Sequence, residues 1–485
     1  MLLSPGSWTD YNMMVSLPQE FLPQSMDRTW NPPLPAGAVQ SSNDIVATIS
    51  PEPHQMPGFI SPTARLSSEG LPSTIDDGFL LRSFLQMLMP PILASVEIGP
   101  KWSATREFFA SMASESSMVR LAAMAFSAFQ LTRSQAEMDV DYKPFYDSAY
   151  RELRDTLAAG DSPKAHQKEL KYILATSFLL TYADLLTQKL PQAHANLKEA
   201  YNLIQNSEKD SFTAAERRLI SWIRLLDARA VSTAGGEGLF LMESDDTVFA
   251  SSPTPTQADD SAALDTEIEE ILFDILYHPG IVFFQKVQSF VGRVTKIDPW
   301  HRSRGTVEDE TEVMAIAAQI SQDLHALYRQ RPALMDHAVA GNLTEKHLAK
   351  NLAQATTRSF RTYLANYYAS FIHLHRVAYR LFPRTKDLEN AIENVKRLSH
   401  LMNDTGEPLP VNLLWPLLMW GSEEEDQEER KWISKTIRGL ENVATNAKFT
   451  ADLLEELQKR QDETRQRMDI RSVSQDFFPS HFAIV

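Results

Sequence analysis

The chain of 485 residues contains no cysteine. Disulfides, thiolate nucleophiles, iron–sulfur clusters and every cysteine-built zinc site are therefore excluded. Glycine is scarce, with 17 residues, roughly half the usual share of about 7%. The glycine-dependent motifs of enzymes are missing too: no G-x-S-x-G elbow, no G-x-x-x-x-G-K-[ST] phosphate loop and no G-x-G-x-x-G fingerprint occurs. Gly235-Gly236-Glu237-Gly238 precedes an acidic stretch and reads as a turn. The N-terminus lacks a basic start followed by a clean apolar run, so it is not a signal peptide. Arg82, Asp184 and the His373–Arg376 run interrupt the most apolar windows, well short of the ~20 residues a membrane helix needs. The expectation is a soluble intracellular protein with no membrane partner.

Positive charge is also in short supply. Against 63 acidic residues stand 47 basic ones, a net charge of −16, which makes the whole chain a poor ligand for polyanions. The deficit is local. The first 80 residues carry a net −6 and residues 230–285 a net −11, so the remainder is close to neutral. Lys459, Arg460, Arg465, Arg467 and Arg471 form the densest basic stretch, but Glu455, Glu456, Asp462, Glu463 and Asp469 interleave with them. That pattern reads as a solvated, salt-bridged helix and not as a nucleic-acid contact.

What is present is helical. Residues 1–78 form a Pro/Ser-rich tail or linker, with 11 prolines and 11 serines in the first 75 positions and no sustained apolar periodicity, and this predicts disorder. From 79 onward Leu170, Ile173, Leu174, Ser177, Phe178 and Thr181 repeat on one helix face. Pro191 opens a second amphipathic helix. Thr213–Ala230 directs Leu219, Ile220, Ile223 and Leu226 inward, with Glu216, Arg217 and Arg224 expected outside. Further helices are expected near 103–134, 143–158, 266–294, 308–330, 344–382, 386–402 and 423–467. The fold class is all-α: a large multi-helical domain of packed antiparallel helix pairs over 79–485, interrupted by an acidic loop at about 235–265.

Chemistry is hard to find in this pattern. His373 and His375 lie on different sides of a helix, and His337 and His347 are ten residues apart with no H-E-x-x-H spacing, so no metal site is expected. A magnesium–diphosphate site of the terpene-cyclase kind needs acidic clusters inside facing helices. Asp76-Asp77, Asp245-Asp246 and Asp259-Asp260 fall instead in linkers, and Glu308-Asp309-Glu310 starts a helix, where acids complement the dipole. No catalytic, cofactor-binding or metal residues are assigned.

The most distinctive stretch is Leu413-Leu414-Trp415-Pro416-Leu417-Leu418-Met419-Trp420-Gly421, followed by Ser422-Glu423-Glu424-Glu425-Asp426 and Arg430. Locally it predicts an apolar helix with a left-handed cap at Gly421. A Ser422/Glu425 capping box should then open the next helix, with Ile433, Ile437, Leu440 and Ala444 buried. The stretch resembles the Trp-Pro…Gly…Glu…Arg signature of the regulatory region in fungal zinc-cluster transcription factors, the fungal-specific transcription factor domain. Tyr142–Leu157, Leu179–Ile204 with His194, and the end with Asp469 and FFPSHFAIV resemble other segments of that region, so the resemblance covers about Phe79 to Val485.

The resemblance implies a transcription regulator acting in the nucleus, with Trp415, Pro416, Gly421, Glu423 and Arg430 in structural roles. The implied partners are other transcription regulators or family members, with a small-molecule effector also possible. The family's six-cysteine zinc cluster cannot be built from these residues, so no cofactor is expected. DNA would then be reached only indirectly or through a missing N-terminal segment. A non-transcriptional helical scaffold and a small-molecule-binding protein are the alternatives.

Overall fold

A computed structural model describes residues 77–134, 140–159, 168–208, 211–231, 238–241, 264–444 and 446–484. Among these residues there are sixteen α-helices, three short 3-10 helices and no strand. The tail reading falls outside the described residues, except for Asp77 and Gly78, which open the first helix. The acidic-loop reading also lies mostly outside them. At its edges, Leu239–Leu241 form a 3-10 turn with Phe240 and Leu241 buried, and Leu264 begins a helix.

The first group of helices is α1 (Asp77–Gln86), α2 (Pro100–Glu115), α3 (Ser117–Ser134), α4 (Lys143–Ala158), α5 (Leu170–Leu186), α6 (Leu190–Gln205) and α7 (Ala214–Ala230). Here α5 is the axis, packed against α3, α4, α6 and α7. The periodicity in its sequence suggested one buried face. Instead, every residue from Ile173 to Leu186 is buried, Asp184 included. Its sequence is apolar around most of the circumference, and the surrounding helices leave it no solvent side. The expected helix over 103–134 is two helices, because Ser116 adopts an extended conformation (φ −131°, ψ 123°) between α2 and α3.

Two expectations on α7 are corrected. Glu216 and Arg224, placed outside by their polarity, are 4% and 6% exposed. Glu216 curls back over the helix start, where its carboxylate accepts from the Thr213 amide at 2.7 Å while the Thr213 hydroxyl accepts from the Glu216 amide at 3.3 Å. This reciprocal box satisfies two amides that the first turn leaves without intrahelical acceptors. Arg224 borders a small internal cavity beside Glu97. Arg217 lies half-buried and donates to the Phe212 carbonyl at 3.1 Å.

The second group comprises α8 (Leu264–Thr295), α9 (Val307–Arg329), α10 (Ala333–Val339), α11 (Lys350–Ala378) and α12 (Lys386–Asn403). It continues with α13 (Leu414–Gly421), α14 (Gln427–Arg438), α15 (Ala447–Thr464) and α16 (Ile470–Phe477). The axis is α11, which α8, α9, α10, α12 and α13 surround. The two groups share one continuous apolar core. They are also joined by polar contacts: the buried Arg229 guanidinium donates to Asn366 Oδ1 and Asn412 Oδ1, each at 3.2 Å, and Asn412 Nδ2 donates to the Ile92 carbonyl at 3.0 Å.

Candidate functional site

The Trp-Pro…Gly…Glu…Arg segment sits where α11, α12, α14 and α15 meet α13. All eight residues of α13 are buried, as its nearly unbroken apolar sequence requires. Pro416 stands in the first turn, where a missing amide costs no intrahelical bond. The Trp415 ring meets the His373 imidazole edge to face at 5.1 Å. Burial lowers the pKa of His373 to about 4, so the ring is neutral at ordinary pH.

Gly421 is needed for a different reason from the one its sequence position suggested. It is not in the left-handed region, which among the described residues is occupied by Gly99, Gly238, Gly341, Gly406, Gln188 and Arg465. A Cβ at Gly421 would instead lie 2.6 Å from Leu454 Cδ2 and 3.3 Å from Ile433 Cγ2. The glycine lets α13 approach α14 and α15 closely, and its carbonyl accepts from Gln458 Nε2 at 2.7 Å.

The expected Ser422/Glu425 capping box does not form. The Ser422 hydroxyl donates back to the Met419 carbonyl at 2.7 Å, and α14 starts five residues on, capped by Asp426. The Asp426 carboxylate accepts from the amides of Glu428 and Glu429, and those bonds hold its pKa below the ordinary value. A carboxylate at the helix start also complements the dipole, so Asp426 outcompetes Ser422 for the cap. The buried positions of α14 and the turn after it are as expected: Ile433, Ile437, Leu440 and Ala444.

Between the two helices Glu423 turns inward. Its side chain is 1% exposed, and it accepts from Arg376 Nη1 at 2.5 Å and Arg467 Nε at 3.0 Å, with Arg384 Nε at 3.7 Å. Arg376 is itself buried and bonds the carbonyls of Ser422 (3.0 Å) and Met468 (2.7 Å) and the Gln461 amide oxygen (3.0 Å). Desolvation lowers the Arg376 pKa and the Glu423 charge opposes that shift. Arg467 Nη1 donates to the Phe382 carbonyl at 3.0 Å and to His375 Nδ1 at 3.2 Å. His375 Nε2 is therefore the protonated nitrogen, donating to the Pro383 carbonyl at 3.1 Å. Burial, followed by the Arg467 charge, lowers the His375 pKa.

Arg430 braces the outer side of the joint. Its Nε donates to the Glu424 carbonyl at 2.6 Å, and its two terminal nitrogens form a fork on Asp462 at 2.7 and 3.2 Å. One carboxylate with three guanidiniums ties α11, the α11–α12 turn, the α13–α14 turn and the α15–α16 turn together. The chemistry of this centre is cohesion: its charged groups face one another and backbone carbonyls.

The C-terminal basic stretch divides between two roles. Arg460 pairs with Glu456 (2.7 Å) and Asp476 (3.0 Å) on the surface, as a solvated helix should. Arg467 is drawn into the Glu423 centre, and Arg471 lies over the Trp300 ring at 5.1 Å. His337 and His347, distant in sequence, come together with ring centroids 5.4 Å apart. Among the described residues no group of three or more potential ligands could hold a metal ion.

Sequence reasoning missed a second polar centre at Glu97. That carboxylate accepts from Arg218 at 2.6 Å and from Trp222 Nε1 at 2.7 Å, beside a cavity of about 30 Å³ bordered by Gln288, Phe284 and Arg224. A cavity of that size holds a water molecule or two. Sites for metabolites are on the order of several hundred Å³.

Fold and site together define an all-helical domain with a charge-locked C-terminal joint. The fungal-specific transcription factor domain matches this chain over residues 80–478, most of its length, so the chain belongs to that family of regulators. No curated protein and no solved structure matches it.

Proposed function

We propose that the chain is a nuclear transcription regulator whose helical domain works through protein partners, namely other transcription regulators or members of its own family. Contact with DNA is made through those partners or through a zinc-cluster segment outside these residues, since a cysteine-free sequence cannot supply the six thiolates. The family match over 80–478 carries this reading. We assign no catalytic role, because the charged side chains of the Glu423 centre are engaged with one another.

The test is a reporter assay with the full chain fused to a heterologous DNA-binding module, alongside a fluorescent fusion for location. A nuclear fusion that changes reporter output several-fold supports the proposal. A chain excluded from the nucleus and inert when tethered refutes it.

A further inference from the structure

Gln288, on α8, is 2% exposed, and neither its Oε1 nor its Nε2 has a hydrogen-bond partner among the described residues. Among those residues it is the one buried amide side chain with both ends in this state. Burying an unpaired amide is costly, because two donors and an oxygen give up the bonds that water made with them. Gln288 borders the cavity of about 30 Å³ beside Glu97, where α8 of the second group of helices packs against α7 of the first.

Glu97 has nothing to offer this amide. Its Oε1 already accepts from Trp222 Nε1 at 2.7 Å and Arg218 Nε at 3.2 Å. Its Oε2 accepts from Arg218 Nη2 at 2.6 Å and Thr105 Oγ1 at 3.3 Å. Those four bonds fill the acceptor directions of a carboxylate. Ser221, also on the cavity wall, gives its proton to the Arg218 carbonyl at 2.7 Å, so its oxygen keeps only lone pairs.

We propose that Gln288 is a water-binding residue: one or two ordered waters lie against its amide and mediate part of the contact between α7 and α8, and so between the two groups of helices. Chemistry and charge select this ligand. Water donates to Oε1, accepts from Nε2, and has a further proton for the Ser221 oxygen. An anion would meet the Glu97 charge, and a hard cation would need about six oxygens.

A high-resolution crystal structure of the full chain is the direct test. It should show water within about 3.2 Å of Gln288 Oε1 or Nε2. Crystals held under xenon should take up no gas there, because xenon enters dry apolar cavities. Gln288→Met, similar in length and without polar ends, gives a second reading in solution, with circular dichroism checking helicity. If water completes the amide, the variant melts no higher than the parent. If the amide is unpaired and dry, the variant is relieved of it and melts about 1–4 °C higher. A dry or xenon-filled cavity, a larger molecule in the density, a Gln288 amide bonded only to protein groups, or a helical Gln288→Met variant with the raised melting temperature each overturns the proposal.

Discussion

Replacing Glu423 with glutamine keeps the shape of a fully enclosed side chain and removes its charge. The guanidinium most affected is Arg376, whose side chain is 5% exposed; Arg467 is 15% and Arg384 33% exposed. The new amide would also bring donors toward donors, because guanidinium nitrogens accept nothing. Removing one partner of a buried ion pair costs about 3–5 kcal/mol, since the remaining charge stays desolvated and uncompensated. For a cooperative unit of about 400 residues the unfolding entropy is near 0.8 kcal/mol/K, so the loss corresponds to a melting temperature lower by about 5 °C.

Arg430→Gln is the internal control. It breaks an ion pair in which Asp462 is 48% exposed, a contact worth about 1 kcal/mol or less, and should lower the midpoint by about 1 °C. Calorimetry and urea denaturation on both variants give the comparison. Arg376→Met should cost less in the Glu423→Gln background than alone, because the two changes strike one interaction. A Glu423→Gln variant that melts within about 1 °C of the parent, or no lower than Arg430→Gln, would refute the view that this carboxylate holds the joint together.

Other expectations follow from the same packing and charges. Gly421→Ala should destabilise by about 1–3 kcal/mol through overpacking against Leu454, and adding Leu454→Ala should give less than the summed loss in denaturant midpoints. Burial raises the Asp184 pKa to about 7 against the opposing influence of the Tyr146 hydroxyl and Lys189. The folded state therefore holds a proton that the unfolded state has released, and this contribution is fully present below about pH 4 and lost as pH rises to about 7. Asp184→Asn should remove that downward slope, so its melting curve relative to the parent improves across the window; parallel curves would contradict the assignment. His373, lowered to about 4, has the opposite sign: its contribution is present above about pH 6.5 and is lost as pH falls toward 4. His373→Phe should flatten acid destabilisation over that range. Arg229→Met removes a buried charge whose pKa desolvation has lowered to about 10, whereas Asn412→Ala strips that charge of an acceptor and also loses the Ile92 bond. The asparagine variant should be the less stable by about 1–3 kcal/mol, and equal midpoints in urea would count against the network.

The sequence revealed what depends on neighbours a few residues apart. Helix α6 carries Pro191 in its first turn, as the fixed φ suggests, and the 386–402 helix lies where its steep amphipathic pattern places it. Longer-range competition stayed hidden. Nothing local tells α5 that it will be enclosed on every side, so a one-face reading was the natural inference from Leu170, Ile173 and Leu174. Similarly, the expected helix over 423–467 is two, α14 ending at Arg438 and α15 beginning at Ala447. Asn446 holds the second start in place, with its amide donating to the carbonyls of Leu185 and Ala483 at 3.1 and 2.7 Å. Those partners lie 261 and 37 residues away, beyond any local pattern.

The acidic run from Glu423 to Glu429 shows why composition could identify the segment yet not assign its work. Read as a block, it is a dipole-complementing helix start, and Asp426, Glu428 and Glu429 fill that role. Glu424 instead accepts from the Trp420 indole at 2.7 Å and from the amides of Glu425 and Asp426 at 2.9 Å, which stiffens the turn. Glu425 reaches Arg384 at 2.8 Å on the surface. Glu423 alone is swallowed, because Arg376, Arg384 and Arg467 converge from positions 39 to 47 residues distant. A buried carboxylate is tolerable only with such company. Its role was therefore set by three arginines that no spacing rule connects to it, and the helix after its turn begins late because Asp426, not Ser422, makes the better cap.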